Sequence, residues 1–122
     1  MTTQKLILLV DDNEDDVFLM ERAIQAAQIS NPVHILEDGR EAIHYLSGHG
    51  QYADREKFPL PAIVFLDLKL PFKSGHGVLQ WIRSQPQLET LVVVVLTSSN
   101  EPADIKRCYA LGANSYLVKP PT

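Results

Sequence analysis

The chain has 122 residues, is 45% hydrophobic and 21% charged, and carries a formal net charge of −4 at pH 7. This length and apolar content fit one globular domain and exclude a chain that is mainly disordered. The single Cys excludes an internal disulfide, and no apolar run reaches the ~20 residues that a membrane helix needs. The acidic balance and the scattered basic residues argue against a nucleic-acid partner. We therefore expect a cytoplasmic protein that contacts neither membrane nor nucleic acid.

Short apolar runs predict the strands of a sheet. In chain order they are Leu6–Val10, Val33–Leu36, Ala62–Leu66, Leu91–Leu96 and Tyr116–Val118. The first, third and fourth are apolar without alternation and rich in Val, Ile and Leu, which is typical of parallel strands covered on both faces. The second and fifth are weaker and fit the edges of the sheet.

Helical patterns lie between these runs, at Asp16–Ala27, Arg40–Leu46, Gly77–Ile82 and Ala103–Leu111. Asn13 is a plausible N-cap for the first of them. Strands that alternate with helices predict right-handed crossovers and an open parallel sheet with helices on both faces.

The alternation is interrupted once, before the third strand. The stretch from Ser47 to Pro61 is polar and contains two Gly and two Pro. It predicts a long surface loop, and loops of this length often contact partners.

Polar side chains follow the predicted strands at the points where they end. Asp11 and Asp12 follow the first strand, Asp67 the third, Thr97 the fourth and Lys119 the fifth. The carboxyl ends of parallel strands meet at one edge of an open α/β sheet, and ligands bind in the crevice there. We therefore expect three carboxylates, a hydroxyl and an ammonium group to lie close together.

The chemistry of this set is restrictive. Clustered carboxylates repel one another unless a cation joins them, and hard oxygen ligands suit Mg²⁺ or Mn²⁺. Lys119 and Thr97 beside such a cation would suit a tetrahedral dianion, and a carboxylate such as Asp67 can itself accept a phosphoryl group. Each residue alone has an ordinary interpretation as a helix cap, a turn residue or a solvated charge. Their joint placement at four strand ends favours a phosphoryl site.

The stretches LLVDDNEDD, FLDLKLPFKSG, VLTSS and SYLVKP stand in an order and spacing that closely resemble the receiver domains of bacterial two-component response regulators, the CheY-like family. The resemblance runs from Lys5 to Pro120. It implies a doubly wound, flavodoxin-like α/β fold with five parallel strands in the order 2-1-3-4-5, an order that periodicity alone does not give.

The resemblance also implies roles for the acidic residues. Asp67 matches the phosphoacceptor, and Asp11 and Asp12 match the acid pair, with Asp12 the better candidate for a direct metal ligand. Lys69 matches the position whose backbone carbonyl completes the site for Mg²⁺ or Mn²⁺. These implied metal ligands are therefore Asp11, Asp12, Asp67 and the Lys69 carbonyl.

The remaining implied roles concern residues that contact the phosphoryl group or change conformation in response to it. Thr97 matches the hydroxyl that hydrogen-bonds the phosphoryl group, and Lys119 matches the lysine that pairs with it. Tyr116 matches the aromatic residue whose rotamer reports the phosphorylation state. Lys69 and Ser99 match the exposed positions nearest the path of the hydrolytic water, so we expect them to tune the lifetime of the phosphoryl group.

The implied function is a signalling switch that accepts a phosphoryl group from a histidine kinase and catalyses its own dephosphorylation. The long loop and the phrase LDLKLPFKSGHGVLQWIR further resemble the single-domain regulators that partner bacterial phytochrome kinases. Such a regulator signals by protein–protein contact, and a homodimer is left open. Two alternatives are a haloacid-dehalogenase-like phosphohydrolase, which also uses an Asp nucleophile, and a degenerate receiver that serves only for docking.

The end of the chain departs from the family pattern. A receiver domain normally continues into a fifth helix after its Lys-Pro, whereas this sequence stops at Thr122. We therefore expect residues 1–122 to form a single receiver domain in which the fifth helix is absent and some apolar sheet surface is uncovered.

Overall fold

A computed structural model describes residues 5–98 and 100–119. Ser99 and residues 120–122 lie outside it, and so do the predictions made for Ser99 and for the tail. The strands are β1 Ile7–Val10, β2 Val33–Leu36, β3 Ile63–Asp67, β4 Val92–Thr97 and β5 Ser115–Val118, and the helices are α1 Glu14–Ala26, α2 Gly39–Ser47, α3 Gly75–Ser84 and α4 Pro102–Ala110, with short 3₁₀ helices at Gly50–Tyr52 and Pro86–Leu88.

The strands form one parallel sheet in the order β2-β1-β3-β4-β5. This order confirms the predicted fold class, and the two weaker apolar runs are the edge strands. In the register of the sheet, Leu9 of β1 lies between Ile35 and Phe65, and Val95 of β4 lies between Leu66 and Tyr116. All five parallel strands therefore bring their carboxyl ends to the same edge of the sheet.

Alternate residues along each central strand face two separate cores. Leu8 and Val10 face the larger core, which α2, α3 and Cys108 of α4 help to fill. Ile7 and Leu9 face the smaller core, where Met20 and Ile24 of α1 cover the sheet. Because β1 is buried on both faces, its sequence is apolar without alternation, as predicted.

An apolar groove runs between α1 and the β5 edge. Its volume is about 400 Å³, and Ala23, Ile24, Phe65, Leu117 and Val118 are among the residues that line it. Leu117 and Val118 are 40% and 38% exposed. Among the described residues, no helix is long and apolar enough to cross a membrane.

All four helices begin one or two residues earlier than the apolar patterns predicted. Caps set the true starts: the side chains of Asn13, Asp38 and Ser74 each accept a hydrogen bond from a backbone N–H of the first turn. The first residues of these three helices are polar or glycine, so hydrophobic spacing does not detect them, whereas the caps mark where the helices start.

Most residues of the stretch from Ser47 to Pro61 are exposed, as expected for a surface loop, but contacts with α2 also order it. Tyr52, in its 3₁₀ helix, is buried against Tyr45 of α2 with ring centroids 4.9 Å apart. The guanidinium of Arg55 donates to the backbone oxygens of Tyr45 and Leu46 at 2.8 Å and of Phe58 at 3.2 Å. Arg55 thereby adds hydrogen bonds to carbonyls in the last turn of α2, and the loop folds back onto the helix that precedes it.

Candidate functional site

The predicted site residues converge at the carboxyl edge of the sheet. A cavity of about 810 Å³ opens there, and its lining includes Asp12, Asp67, Lys69, Thr97 and Lys119. Asp67 and Thr97 are the last residues of β3 and β4, Lys119 directly follows β5, and the acid pair directly follows β1. Strands that are distant in the sequence therefore place their terminal side chains at one rim, as predicted.

Three carboxylates form the floor of the cavity. Asp11, Asp12 and Asp67 each offer an oxygen atom, and these atoms lie within 4.8 Å of one another. Asp11 and Asp67 are buried and Asp12 is exposed. The backbone N–H of Asn13 donates to Asp11 Oδ1 at 3.0 Å, and that of Lys69 donates to Asp67 Oδ1 at 3.2 Å. One oxygen of each buried acid is thus held by the backbone, and the other, Oδ2, lies 3.1 Å from the ammonium group of Lys119.

Lys119 neutralises part of this negative charge. Its Nζ lies 3.1 Å from Asp11 Oδ2 and 3.1 Å from Asp67 Oδ2, and 2.7 Å from Asp16 Oδ2. Burial alone would lower the pKa of Lys119, but the hydrogen bonds to Asp16 and Asp67 outweigh it and raise that pKa above its ordinary value. Lys119 is therefore a fixed cation at neutral pH.

The negative charge of the buried Asp11 carboxylate is only partly neutralised by its surroundings. Burial raises its pKa most strongly, the charge of Asp67 raises it further, and the bond from Asn13 and the nearby Lys119 ammonium oppose both effects. Among the described residues, Asp11 Oδ2 is buried and receives no hydrogen bond of acceptable geometry, although Lys119 Nζ is within ion-pair distance. A buried anionic oxygen with spare capacity beside two other carboxylate oxygens fits a hard divalent cation.

Thr97 and Lys119 are linked through the backbone on the other side of the cavity. Thr97 is buried, and the backbone N–H of Lys119 donates to the Thr97 carbonyl at 2.7 Å. Tyr116 of β5 is half-buried and meets Tyr109 of α4 edge-on, with ring centroids 6.2 Å apart. The exposed side chain of Lys69 lies at the mouth of the cavity.

The turn after β3 is held by a close approach of backbone to backbone. Gly75 donates its N–H to the Leu68 carbonyl at 3.0 Å. A Cβ built on Gly75 would lie 2.2 Å from the Asp67 carbonyl oxygen and 2.6 Å from Leu68 Cα. Only glycine fits at this position, and the start of α3 is thereby seated against the strand that carries Asp67.

Sequence reasoning missed several residues that line the site, among them the ionisable Asp16 and His76. Asp16 contacts Lys119, and His76 lines the cavity, where burial and the charge of Arg107 lower its pKa. A signal for Asp16 was present: it shares the i, i+4, i+8 row of α1 with Met20 and Ile24, which are buried. An acid on the buried row of an amphipathic helix faces the sheet and not the solvent.

The fold and this rim define a receiver-type α/β domain, and comparison with known proteins agrees. The family model for the response regulator receiver domain matches residues 7–122. The chain belongs to the response regulator receiver domain family. A phosphorylated aspartate and a bound divalent metal are typical of this family, and the match leaves the haloacid-dehalogenase-like alternative without support.

Several relatives of known structure or description are phytochrome response regulators. The response regulator Rcp1 of Synechocystis sp. is 39% identical over 115 residues, which are 94% of this chain and 76% of Rcp1. The structure of the phosphorylated cyanobacterial phytochrome response regulator RcpA is 38% identical, with a TM-score of 0.86 over 96% of this chain and 81% of RcpA. The Mn²⁺-bound structure of Rcp1 gives a TM-score of 0.84 at 39% identity over 94% of this chain and 81% of that one. This chain is thus homologous to phytochrome response regulators.

Proposed function

We propose that this chain is a phosphoacceptor switch in which Asp67 takes a phosphoryl group from a histidine kinase. The observation that carries the proposal is the surroundings of Asp67: a buried carboxylate with one oxygen 3.1 Å from an ammonium group, beside two further acids whose oxygens converge with its own. A carboxylate in these surroundings is oriented to act as a nucleophile. The Lys119 ammonium group lies near the place where an oxygen of the incoming phosphoryl group would bind.

Asp11, Asp12 and Asp67 would hold Mg²⁺ or Mn²⁺, with the backbone carbonyl of Lys69 as a further ligand. When bound, the ion supplies positive charge against the oxygens of the transferred group. Asp67 attacks phosphorus through its cavity-facing oxygen, while the Lys69 N–H keeps the carboxylate oriented through Oδ1. The oxygen–phosphorus bond of the acyl phosphate forms as the donor's nitrogen–phosphorus bond breaks, and positioning supplies most of the catalysis.

Thr97 and Tyr116 form the switch in this proposal. The Thr97 hydroxyl turns toward a phosphoryl oxygen, and Tyr116 moves into the space it leaves, so that a local charge changes the surface around β5. Lys69 and Ser99 act on the lifetime of the phosphoryl group through access of water to the acyl phosphate. The chain also hydrolyses its own acyl phosphate by positioning that water, so its activity is that of a switch and not of a metabolic enzyme.

The kinase partner in this proposal is a bacterial phytochrome kinase. Support comes from the homology to RcpA and Rcp1 and from the ordered stretch from Ser47 to Pro61, which supplies a shaped surface beside α2. The output is contact with another protein in the cytoplasm, and neither nucleic acid nor membrane is involved.

The test is phosphorylation by a small acyl-phosphate donor with Mg²⁺, followed by intact mass. We expect one added phosphoryl group on the wild-type chain and none on Asp67→Asn. Asp15→Asn is the matched control, because Asp15 is an exposed acid on the first turn of α1. A wild-type chain that gains no phosphoryl group, or an Asp67→Asn variant that still gains one, contradicts the proposal.

A further inference from the structure

Asp16 makes the shortest of the ion pairs to Lys119. Its Oδ2 lies 2.7 Å from Lys119 Nζ, whereas the oxygens of Asp11 and Asp67 lie at 3.1 Å. The contact joins residues 103 positions apart in the chain. Asp16 is not one of the three acids whose oxygens converge at the floor of the cavity. It therefore holds the ammonium group without belonging to the metal cluster.

The fold fixes Asp16 at this position from the helix side of the cavity. Its backbone N–H is capped by the Asn13 side chain at 3.0 Å, and Met20, one turn further along α1, is buried against the sheet. The Asp16 side chain is 27% exposed, and that of Lys119 is 11% exposed. Asp16 thus reaches the rim from α1, whereas the three converging acids reach it from the strand ends.

Lys119 and a divalent cation at the rim would compete for the same carboxylate oxygens. Among the described residues, Lys119 has three carboxylate partners, and it shares two of them, Asp11 and Asp67, with the proposed metal site. A divalent cation seated there would repel the ammonium group and draw the same oxygens away from it, and solvent would screen this repulsion only weakly because the Lys119 side chain is only 11% exposed. An ammonium group has three donors, and one of them already points to Asp16.

We propose that Asp16 is a positioning residue that draws Lys119 away from the metal-binding carboxylates, so that the ammonium group and a divalent cation occupy the site together. The inference rests on the metal site proposed above. With Asp16 present, Lys119 keeps an anionic partner when Asp11 and Asp67 turn to the cation. Without it, Lys119 depends on those two acids alone and competes with the cation for them.

The test measures Mn²⁺ affinity directly, by the electron paramagnetic resonance signal of the free ion, and needs no phosphoryl transfer. Asp16→Asn should weaken Mn²⁺ binding about tenfold, the lower range for groups that orient metal ligands from outside the coordination sphere. Asp15→Asn is the matched control, because it removes one exposed acid from the same helical turn. We expect it to change the affinity less than about twofold, since solvent screens exposed charges.

A double-substitution cycle separates positioning from net charge. In a Lys119→Met background, the effect of Asp16→Asn should fall to that of Asp15→Asn, because the residue through which Asp16 acts is gone. Equal effects of Asp16→Asn and Asp15→Asn in the wild-type background would overturn the inference, as would an undiminished effect in the Lys119→Met background. A wild-type chain that binds no Mn²⁺ would overturn the inference and the metal site. Phosphorylation of Asp67 is read separately by mass.

Discussion

Asp11 illustrates the conflict between folding and function at a single residue. It has no exposed surface, and burial followed by the charge of Asp67 raises its pKa above the ordinary value. The folded state therefore binds a proton at the Asp11 carboxyl group more tightly than the unfolded state does. Its contribution to stability is greatest below the ordinary pKa of Asp, and it is lost as pH rises through the raised pKa.

We expect Asp11→Asn to raise the unfolding free energy of the metal-free protein at pH 7, since the buried charge is removed and Oδ1 can still accept from Asn13. The gain should shrink as pH falls through the raised pKa, where wild-type Asp11 becomes neutral. Chemical denaturation in the presence of a chelator, across pH 4 to 8, measures both effects. Asp12→Asn, at an exposed carboxylate, is the control. A less stable Asp11→Asn at pH 7 would mean that the ion pair with Lys119 outweighs desolvation.

At the scale of elements, the turn that joins β3 to α3 depends on Gly75 and not on Gly77. A Cβ on Gly75 would overlap backbone atoms of Asp67 and Leu68, whereas one on Gly77 would meet the flexible end of Lys73, whose Cε is 2.9 Å away. The two glycines lie two residues apart in the same first turn of α3. They therefore form a natural pair for comparison.

We predict that Gly75→Ala costs about 1–3 kcal/mol of stability by overpacking and slows phosphorylation of Asp67, because the strand end must shift. Gly77→Ala should be neutral or stabilising by up to about 1 kcal/mol, since Ala is the better helix former. Urea denaturation and the rate of phosphorylation by a small donor measure the two effects. Equal stability of the two variants would contradict the close approach at Gly75.

The ordered loop before β3 depends on Arg55, which donates to backbone oxygens of Tyr45, Leu46 and Phe58. Arg55→Ala should cost about 1.5–3 kcal/mol, the range for hydrogen bonds from a charged donor. It should also expose residues 50–58 to hydrogen exchange. Glu56→Ala, at an exposed neighbour, should stay within about 0.5 kcal/mol of wild type. Unchanged exchange in Arg55→Ala would show that the aromatic contacts alone order the loop.

The apolar runs locate all five strands to within one residue at each end, and the edge strand β2 without error. β1 and β4 are covered on both faces, so continuous apolar runs identify them despite errors of one residue at their ends. The packing of the stretch from Ser47 to Pro61 was not predictable, because its composition is polar and its order comes from Arg55 and Tyr52 meeting α2. Polar composition indicates exposure on average, but a single guanidinium can satisfy a helix end and bury the aromatic residues around it.

At the scale of the whole molecule, the topology of the sheet explains why the predicted site residues lie close together. Asp11, Asp12, Asp67, Thr97 and Lys119 could be placed together because each follows a strand and parallel strands share an edge. Asp16 could not be placed by that rule, because it comes from a helix. Its contact with Lys119 depends on how α1 is rotated on the sheet, which only the packing of Met20 and Ile24 determines.

Because three carboxylates converge in the folded chain and not in the unfolded one, a divalent cation should stabilise the fold by linkage. Mg²⁺ at one hundred times its dissociation constant should add about 2.7 kcal/mol to the unfolding free energy. Thermal melts over a Mg²⁺ titration measure this gain, and Asp12→Asn should reduce it. A gain of equal size in Asp12→Asn would place the cation elsewhere.

The hydrogen bond from the Lys119 N–H to the Thr97 carbonyl, 2.7 Å long, has a mechanical consequence. The two side chains proposed to grip the phosphoryl group stand on adjacent strands whose main chains are tied at that level. A shift of one strand end should therefore move the other with it. We therefore expect Thr97 and Lys119 to engage the phosphoryl group together, so that the switch responds as one unit. Substitutions at the two positions should then be non-additive.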